Sequence, residues 1–320
     1  MERIISRYIV TMKARSIQPV VFKSISELMR AIEMPKPLHP LIALVNYDQT
    51  EIGQQHIGQA ILIDFYKISF KKDFKGKVKY GLGYYDFEEG GLAFLSPNQL
   101  VTMPEDKESY EGFALYFHAD LIRNYQLGRN ISHYGFFSYG ISEALFLSEK
   151  EREIITGIFE SIAMELDNHT DSFSQDVLVS QIELLLNHSN RFYNRQFLTR
   201  KAVHHDLISQ MEDYLAKRFS QEIPSTDGLP NVQGISEHLK LSPRYLTDML
   251  KSLTGQGTQQ HIHNFLIDKA KVSLTSSTLS TAEIAYKLGF EQPQSFNKLF
   301  KKMIGVSPGG YRRSYNLHPD

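Results

Sequence analysis

The alternation of apolar and polar positions changes character near residue 148. Before it, short β-like runs dominate: LIALVNY (41–47), ILIDFYKISF (61–70), GLAFLSP (91–97) and FALYFH (113–118), punctuated by Gly, Pro and Asn/Asp. Runs of this length and density predict an antiparallel sandwich or barrel. Beyond the change, the period is helical. SEKEREIITGIFESIAMEL opens on Ser148 with Glu151 three residues later, the spacing of a capping box. Ile154, Ile155, Ile158, Phe159, Ile162 and Leu166 follow at helical spacing. A second helix is predicted over 174–193, with Val177, Leu178, Ile182, Leu185 and Leu186 on one face. Such a helix pair either completes a core or pairs two subunits. RQFLTRKAVHHD (195–206) is polar and reads as a linker, a further helix is expected over 205–219, and 220–231 reads as a loop. The rest carries closely spaced helical segments and no strand signal.

That last region repeats itself. Ile235, Leu239 and Leu241 match Ile284, Leu288 and Phe290 at an offset of 49. After a slip of one residue, Leu246, Leu250, Lys251 and Gly255 match Phe296, Phe300, Lys301 and Gly305 at an offset of 50. Each copy reads as two short helices around a tight turn, the form of a helix-turn-helix. Gly289 stands where the chain leaves the first helix, a position that favours a left-handed cap. Lys240 takes that place in the earlier copy, which predicts a turn there that is a little strained or differently shaped.

In the second helix of the later copy, Phe296, Leu299, Phe300 and Met303 form the inward stripe. Gln294, Asn297, Lys298 and Lys301 are left outside. In the earlier copy Leu246, Met249, Leu250 and Leu253 face in, and Arg244, Thr247, Asp248 and Lys251 face out. A B-form major groove admits a helix, and its base edges accept this chemistry: Gln and Asn on adenine, Arg and Lys on guanine, Asp on the cytosine amino group. One such face is an ordinary solvated surface more often than not; two in a duplicated frame favour DNA. The predicted connector helix, 257–274, would fix the spacing of the two reading helices.

Charge sharpens the picture. The chain's formal net charge is −1, yet residues 232–315 hold 11 Lys/Arg against 5 Asp/Glu. A basic segment on a balanced chain suggests a local anionic partner. The 320 residues contain no cysteine, which excludes disulfides, thiolate metal sites and a Cys nucleophile. The first residues, MERIISRYIVTMKARS, make a poor signal peptide, and no apolar run is long enough to span a membrane. A cytoplasmic location is expected, with no membrane partner.

STAEIAYKLGFEQPQSFNKLFKKMIGVSPGGYRRS (280–314), with ISEHLKLSPRYLTDMLKSLTG (235–255), resembles the AraC/XylS-type transcription regulators. The resemblance covers about 85 residues. It implies an α+β chain in four parts. Residues 1–147 would form a cupin-like antiparallel sensor barrel, and 148–194 a dimerising helix pair. Residues 195–203 would be a linker, and 204–320 an all-α DNA-binding domain with two helix-turn-helix units. EEGGLAFLSPNQ (88–99) is similar to a cupin turn. Carried over by position, the base-reading candidates are Arg244, Thr247 and Asp248, then Gln294, Asn297 and Lys298. Ser242 and Gln292, which begin the two reading helices, and Lys251, Lys301 and Arg312 are phosphate candidates. Asp248 departs from the family pattern, which often has a basic residue there; an acid fits if it accepts from cytosine or orients Arg244. The resemblance further implies double-stranded DNA, a small-molecule effector, a second copy of the chain and RNA polymerase as partners, and activation rather than repression.

The rival class is a cupin metal enzyme fused to a DNA-binding module. His39, His56, His118 and His133 form no tight pair, and Leu100 and Val101 follow SPNQ where a metal cupin often places histidine. No catalytic residue, metal or cofactor is expected. Tyr84, Tyr85 and Phe87 are candidates to line an effector pocket, although such aromatics are more often core.

Overall fold

The computed structural model describes residues 19–47, 60–72, 77–80, 83–86, 90–102, 111–140, 143–168, 171–199, 201–220 and 228–316. The chain divides into two compact units: Met1–His133 with Phe146–Asn187, and Tyr134–Leu145 with His188–Asp320.

The first unit is built on short strands. They are β1 (Val20–Phe22), β2 (Ile42–Asn46), β3 (Ala60–Ile63), β4 (Tyr66–Lys71), β5 (Lys77–Tyr80), β6 (Gly83–Asp86), β7 (Gly91–Leu95), β8 (Leu100–Thr102) and β9 (Gly112–Phe117), with β10 (Leu145–Phe146) after them. Three sheets result, in the orders β1-β3-β8, β10-β7-β4-β9-β2 and β5-β6. Among the described residues, β1 pairs with β3 in parallel, and the pairs β2–β9, β3–β8, β4–β7, β4–β9 and β5–β6 are antiparallel. The closed barrel implied for this region is not seen among the described residues. The physical reason lies in ILIDFYKISF, which reads as one run but breaks at Asp64. The Asp64 N–H donates to Phe22 O, and Asn98 N–H donates to Ile63 O. The break sends β3 to one sheet and β4 to another.

Helix α1 (Ile25–Ala31) is closed at its start by a capping box between Ser24 and Glu27. It buries Ile25, Leu28 and Met29 in a cluster with Ile61, Ile63 and Phe65. After β9 come α2 (Ala119–Ile122) and α3 (Gln126–Asn130), then α4 (Glu149–Asp167) and α5 (Ser174–Thr199). The Ser148 N–H donates to Glu151 Oε2 at 2.8 Å, as the spacing predicts. Helix α4 covers the five-stranded sheet through Phe159, whose ring stacks on Phe70 at 5.6 Å and on Phe113 at 5.5 Å. Of the predicted stripes, Ile155, Ile158, Phe159 and Ile162 are buried, as are Leu178, Ile182, Leu185 and Leu186; Ile154 and Val177 stay exposed.

The expected linker at 195–203 is helical where it is described. Helix α5 runs to Thr199 and α6 (Lys201–Ser220) begins two residues later. The polar residues Gln196 and His204 are buried. Gln196 donates to Ala144 O, and His204 Nδ1 sits 2.8 Å from Phe197 O. A polar composition marks a loop only when those side chains are solvated, and these are satisfied inside the unit.

The remaining helices are α7 (Val232–Leu239), α8 (Pro243–Thr254), α9 (Thr258–Ser276), α10 (Thr281–Lys287), α11 (Pro293–Ile304) and α12 (Pro308–Asn316). The repeat seen in the sequence is a repeat of structure. Leu241 N–H donates to Ser236 O at 2.9 Å, and Phe290 N–H to Ala285 O at 3.0 Å, the same bond one copy apart. Gly255 and Gly305 both end their helices at positive φ, bonded to Lys251 O and Lys301 O. Four of the five apolar matches are buried in both copies, Ile235, Leu239, Leu246 and Leu250, then Ile284, Leu288, Phe296 and Phe300; in the fifth, Phe290 is buried and Leu241 half-buried.

The two turns differ where the sequence says they should. Gly289 has φ +86°, and Lys240 holds the same place at φ 57°, ψ 38°. A side chain in that region costs about 1 kcal/mol or more. Lys240→Gly is therefore expected to raise stability by about 0.5–1 kcal/mol, part of the relief being offset by the freer unfolded chain. Thermal denaturation followed by circular dichroism checks it; a lower midpoint would mean that the lysine side chain contributes more than its backbone costs.

Candidate nucleic-acid interface

The two candidate reading helices, α8 and α11, follow from local chemistry. Each begins with proline in its first turn, which lacks the N–H that a helix start leaves unpaired. Ser242 caps α8 by accepting from Tyr245 N–H at 3.2 Å. Gln292 stands at the equivalent place on α11 without a side-chain cap bond. Helix α10, which leads into α11, is fixed by a reciprocal box: Glu283 N–H donates to Ser280 Oγ, and Ser280 N–H to Glu283 Oε2. Donation from the Ser280 N–H, and then from its hydroxyl, lowers the Glu283 carboxyl from its ordinary pKa.

On α11 the structure leaves the outward set open. Gln292, Gln294, Asn297, Lys298 and Lys301 are exposed, while Phe296 and Phe300 are buried beneath them. The inward rings form a continuous contact from Phe290 through Phe296 and Phe300 to Tyr311. A rigid apolar stripe thus presents a row of amide and ammonium groups.

On α8 the equivalent set is engaged by the chain itself. Arg244 Nε donates to Asp248 Oδ2 at 2.9 Å, so Asp248 does orient Arg244. Thr247 Oγ1 donates to Pro243 O and lies 3.0 Å from Thr258 Oγ1. Ser242 donates both its N–H and its hydroxyl to Glu143, at 2.6 and 2.5 Å. Tyr139 Oη donates to Asp248 Oδ2 at 2.9 Å. Lys251 is exposed.

Two further groups are tuned by this contact. Burial pushes the Glu143 carboxyl up, and the bonds from Ser242 and Gly140 pull it back. Burial first, and then the Asp248 charge, holds the Tyr139 phenol well above its ordinary value, so it acts as a neutral donor. Neither residue carries a signal in the sequence. Their partners lie 99 and 109 positions away along the chain.

Arg312 is tied internally. Its Nε donates to Leu274 O at 2.9 Å and one Nη to Leu279 O at 2.7 Å. Those bonds hold α12 to the end of α9, and a phosphate would have to compete with them. Tyr84 and Tyr85 lie on β6, and Phe87 lies outside the described residues. An open cleft of about 330 Å³ is found elsewhere in the first unit, lined by Met29, Leu44, Phe113, Ala163 and Leu166 among others. Among the described residues, no group of three or more His, Asp or Glu is placed to hold a metal ion. His261 and His263 instead lie within hydrogen-bond reach of Thr254 and Gln259. No helix among the described residues is long and apolar enough to cross a membrane.

These elements define a domain with two helix-turn-helix units on one polypeptide. A family model and curated relatives are consistent with a helix-turn-helix domain here. Residues 235–314 match the family model described as a helix-turn-helix domain. The transcriptional activator RhaS of Klebsiella pneumoniae is 28% identical over 160 residues, 50% of this chain and 52% of the relative. The uncharacterized transcriptional regulator YdiP of Escherichia coli is 25% identical over 169 residues, 51% of this chain and 52% of the relative. Among solved structures, the C-terminal domain of AraT, a response regulator from Geobacillus stearothermophilus, is 32% identical. It covers 34% of this chain and 84% of its own, with a TM-score of 0.30. What the family model matches, residues 235–314, is a helix-turn-helix domain, and the curated relatives are named transcriptional regulators. It spans about half the length of the curated relatives it matches.

Proposed function

We propose that the chain is a sequence-specific, DNA-binding transcription regulator that reads duplex DNA with α8 and α11. The observation that carries this reading is the α11 face. Gln294, Asn297 and Lys298 stand exposed on a helix whose other side is locked by Phe296 and Phe300. That face is the second instance of a duplicated frame.

Selection of bound sequences from random duplex DNA tests it. Enrichment of one motif, with binding that weakens steeply as salt rises, is the expected result. No enrichment and no salt-dependent retention would refute it. Asn297→Ala is expected to relax preference at one base step, by about 1–3 kcal/mol, with its neighbours unchanged. Lys298→Ala has two possible signatures. As a base contact it loses discrimination at one position; as a phosphate contact it weakens binding evenly and lowers the salt slope by about one. Competition titrations on motif variants tell the two apart.

The first unit is proposed as an effector-sensing, cupin-like module that also pairs two copies. Supporting the pairing, Ile154, Met164, Val177 and Leu184 on α4 and α5 are large apolar residues left exposed. The open cleft by Met29 and Phe113 is one place for a small effector; Tyr84, Tyr85 and Phe87 are the separate candidates read from the sequence. Activation, through contact with RNA polymerase, is the favoured sense, because RhaS relatives are named activators. A ligand can shift such a protein only by binding two of its states unequally.

A further inference from the structure

The two copies of the reading frame are built alike but not left alike. Positions Gln292, Gln294, Asn297 and Lys298 of α11 are exposed. Their counterparts, fifty residues earlier, are Ser242, Arg244, Thr247 and Asp248. Three of these four, Ser242, Arg244 and Asp248, meet residues 134–140 and 143–145 of the same chain.

The contact imitates nucleic acid at its central point. A helix N-terminus offers backbone N–H groups and a positive dipole end to an anion, and in a DNA complex that anion is a phosphate. On α8, the anion is Glu143. Its carboxylate takes the Ser242 N–H and hydroxyl and the Gly140 N–H, and the residue is only 5% exposed. The same segment then reaches the outward face of the helix. Tyr139 donates to Asp248, which is paired with Arg244. A Cβ at Gly135 would fall 2.2 Å from Asp248 Oδ2 and 2.7 Å from Arg244 Nε, so the backbone itself lies against that face.

Aromatic packing holds the segment in place. The Tyr139 ring meets Tyr245 at 5.2 Å and Tyr193 at 5.1 Å, both edge-on. Phe136 stacks on Tyr193 at 5.5 Å, and Phe197 closes against Tyr245. All five rings are buried.

We infer that residues 134–140 and 143–145 are an intramolecular competitor for DNA at the first helix-turn-helix, a built-in stop that leaves α11 free to bind and holds α8 back. The inference rests on the DNA-binding reading above. A phosphate cannot take the Ser242 donors while Glu143 holds them, and a duplex on that face would meet two carboxylates. Both ends of the segment continue along the chain into the first compact unit, at His133 and Phe146. A change of state in that unit therefore has a covalent route to α8.

The test compares the full-length chain with its Glu143→Ala and Tyr139→Phe variants. Each is titrated on a duplex carrying the complete selected motif and on one carrying only the α11 half. Glu143→Ala is expected to bind the complete motif about tenfold tighter, the scale of one lost charge-assisted hydrogen bond. Binding to the α11 half should not change. Tyr139→Phe should move in the same direction by less. Equal or weaker binding of the complete motif by folded variants would overturn the inference. Should Glu143→Ala not fold, hydrogen exchange on the unmodified chain decides. Amides in 134–140 and 143–145 are expected to exchange faster with the duplex bound; unchanged or slower exchange overturns the inference. If neither the unmodified chain nor any variant shows salt-dependent binding to duplex DNA, the DNA-binding reading itself fails. If they bind and the variants match the original, only the competitor fails.

Discussion

Phe296→Ala is expected to unfold the second helix-turn-helix or bring it to the edge of unfolding. The ring is fully buried, 5.5 Å from Phe290 and 5.7 Å from Phe300. Removing it leaves a cavity among rings that cannot close up, at a cost of about 3–5 kcal/mol. A typical domain has only about 5–15 kcal/mol in total. Alanine is the better helix former, so α11 loses no intrinsic propensity. The whole loss is packing, and the proposed DNA-reading face goes with it. Urea denaturation by circular dichroism measures the stability; tyrosine emission serves as the second probe, since the chain has no tryptophan. A loss under about 1 kcal/mol would mean that Phe296 is not in the core described here.

Phe159→Ala should cost a similar amount, about 3–5 kcal/mol, but in the other unit. Phe159 is also fully buried and stacks on Phe70 and Phe113, the contact by which α4 covers the five-stranded sheet. Since Phe159 and Phe296 belong to different compact units, the two variants should separate. Phe159→Ala should soften the sheet signal in circular dichroism while the chain still retains duplex DNA through α11. Loss of DNA binding equal to that of Phe296→Ala would show that the units fold as one.

The helix-turn-helix units were the most legible part of the chain. Each is made by contacts close in sequence: a cap, a turn residue of defined φ, and an apolar stripe at helical spacing. The left-handed Gly289, its strained counterpart Lys240 and the buried Phe296 and Phe300 all follow from such local rules. The strands were legible as runs, but their partners were not. The break at Asp64 is invisible in ILIDFYKISF, because Phe65 beyond it is as apolar as the rest and is buried against α1. The polar stretch 195–206 misled for the opposite reason. Gln196 and His204 look solvated by composition, yet find backbone carbonyls inside the fold.

By itself, then, the sequence determined a duplicated pair of short helices, which residues each buries, and which amide and basic groups each turns outward. Periodicity and turn chemistry act over a few residues, and that range suffices. Only the tertiary structure decided that strands from one run join different sheets, and that Glu143 and Tyr139 close over α8 while α11 stays open. Those contacts join groups about a hundred positions apart. Closing a loop of that length costs entropy that no local pattern records, and the contact forms because several buried rings and charge-assisted bonds act together.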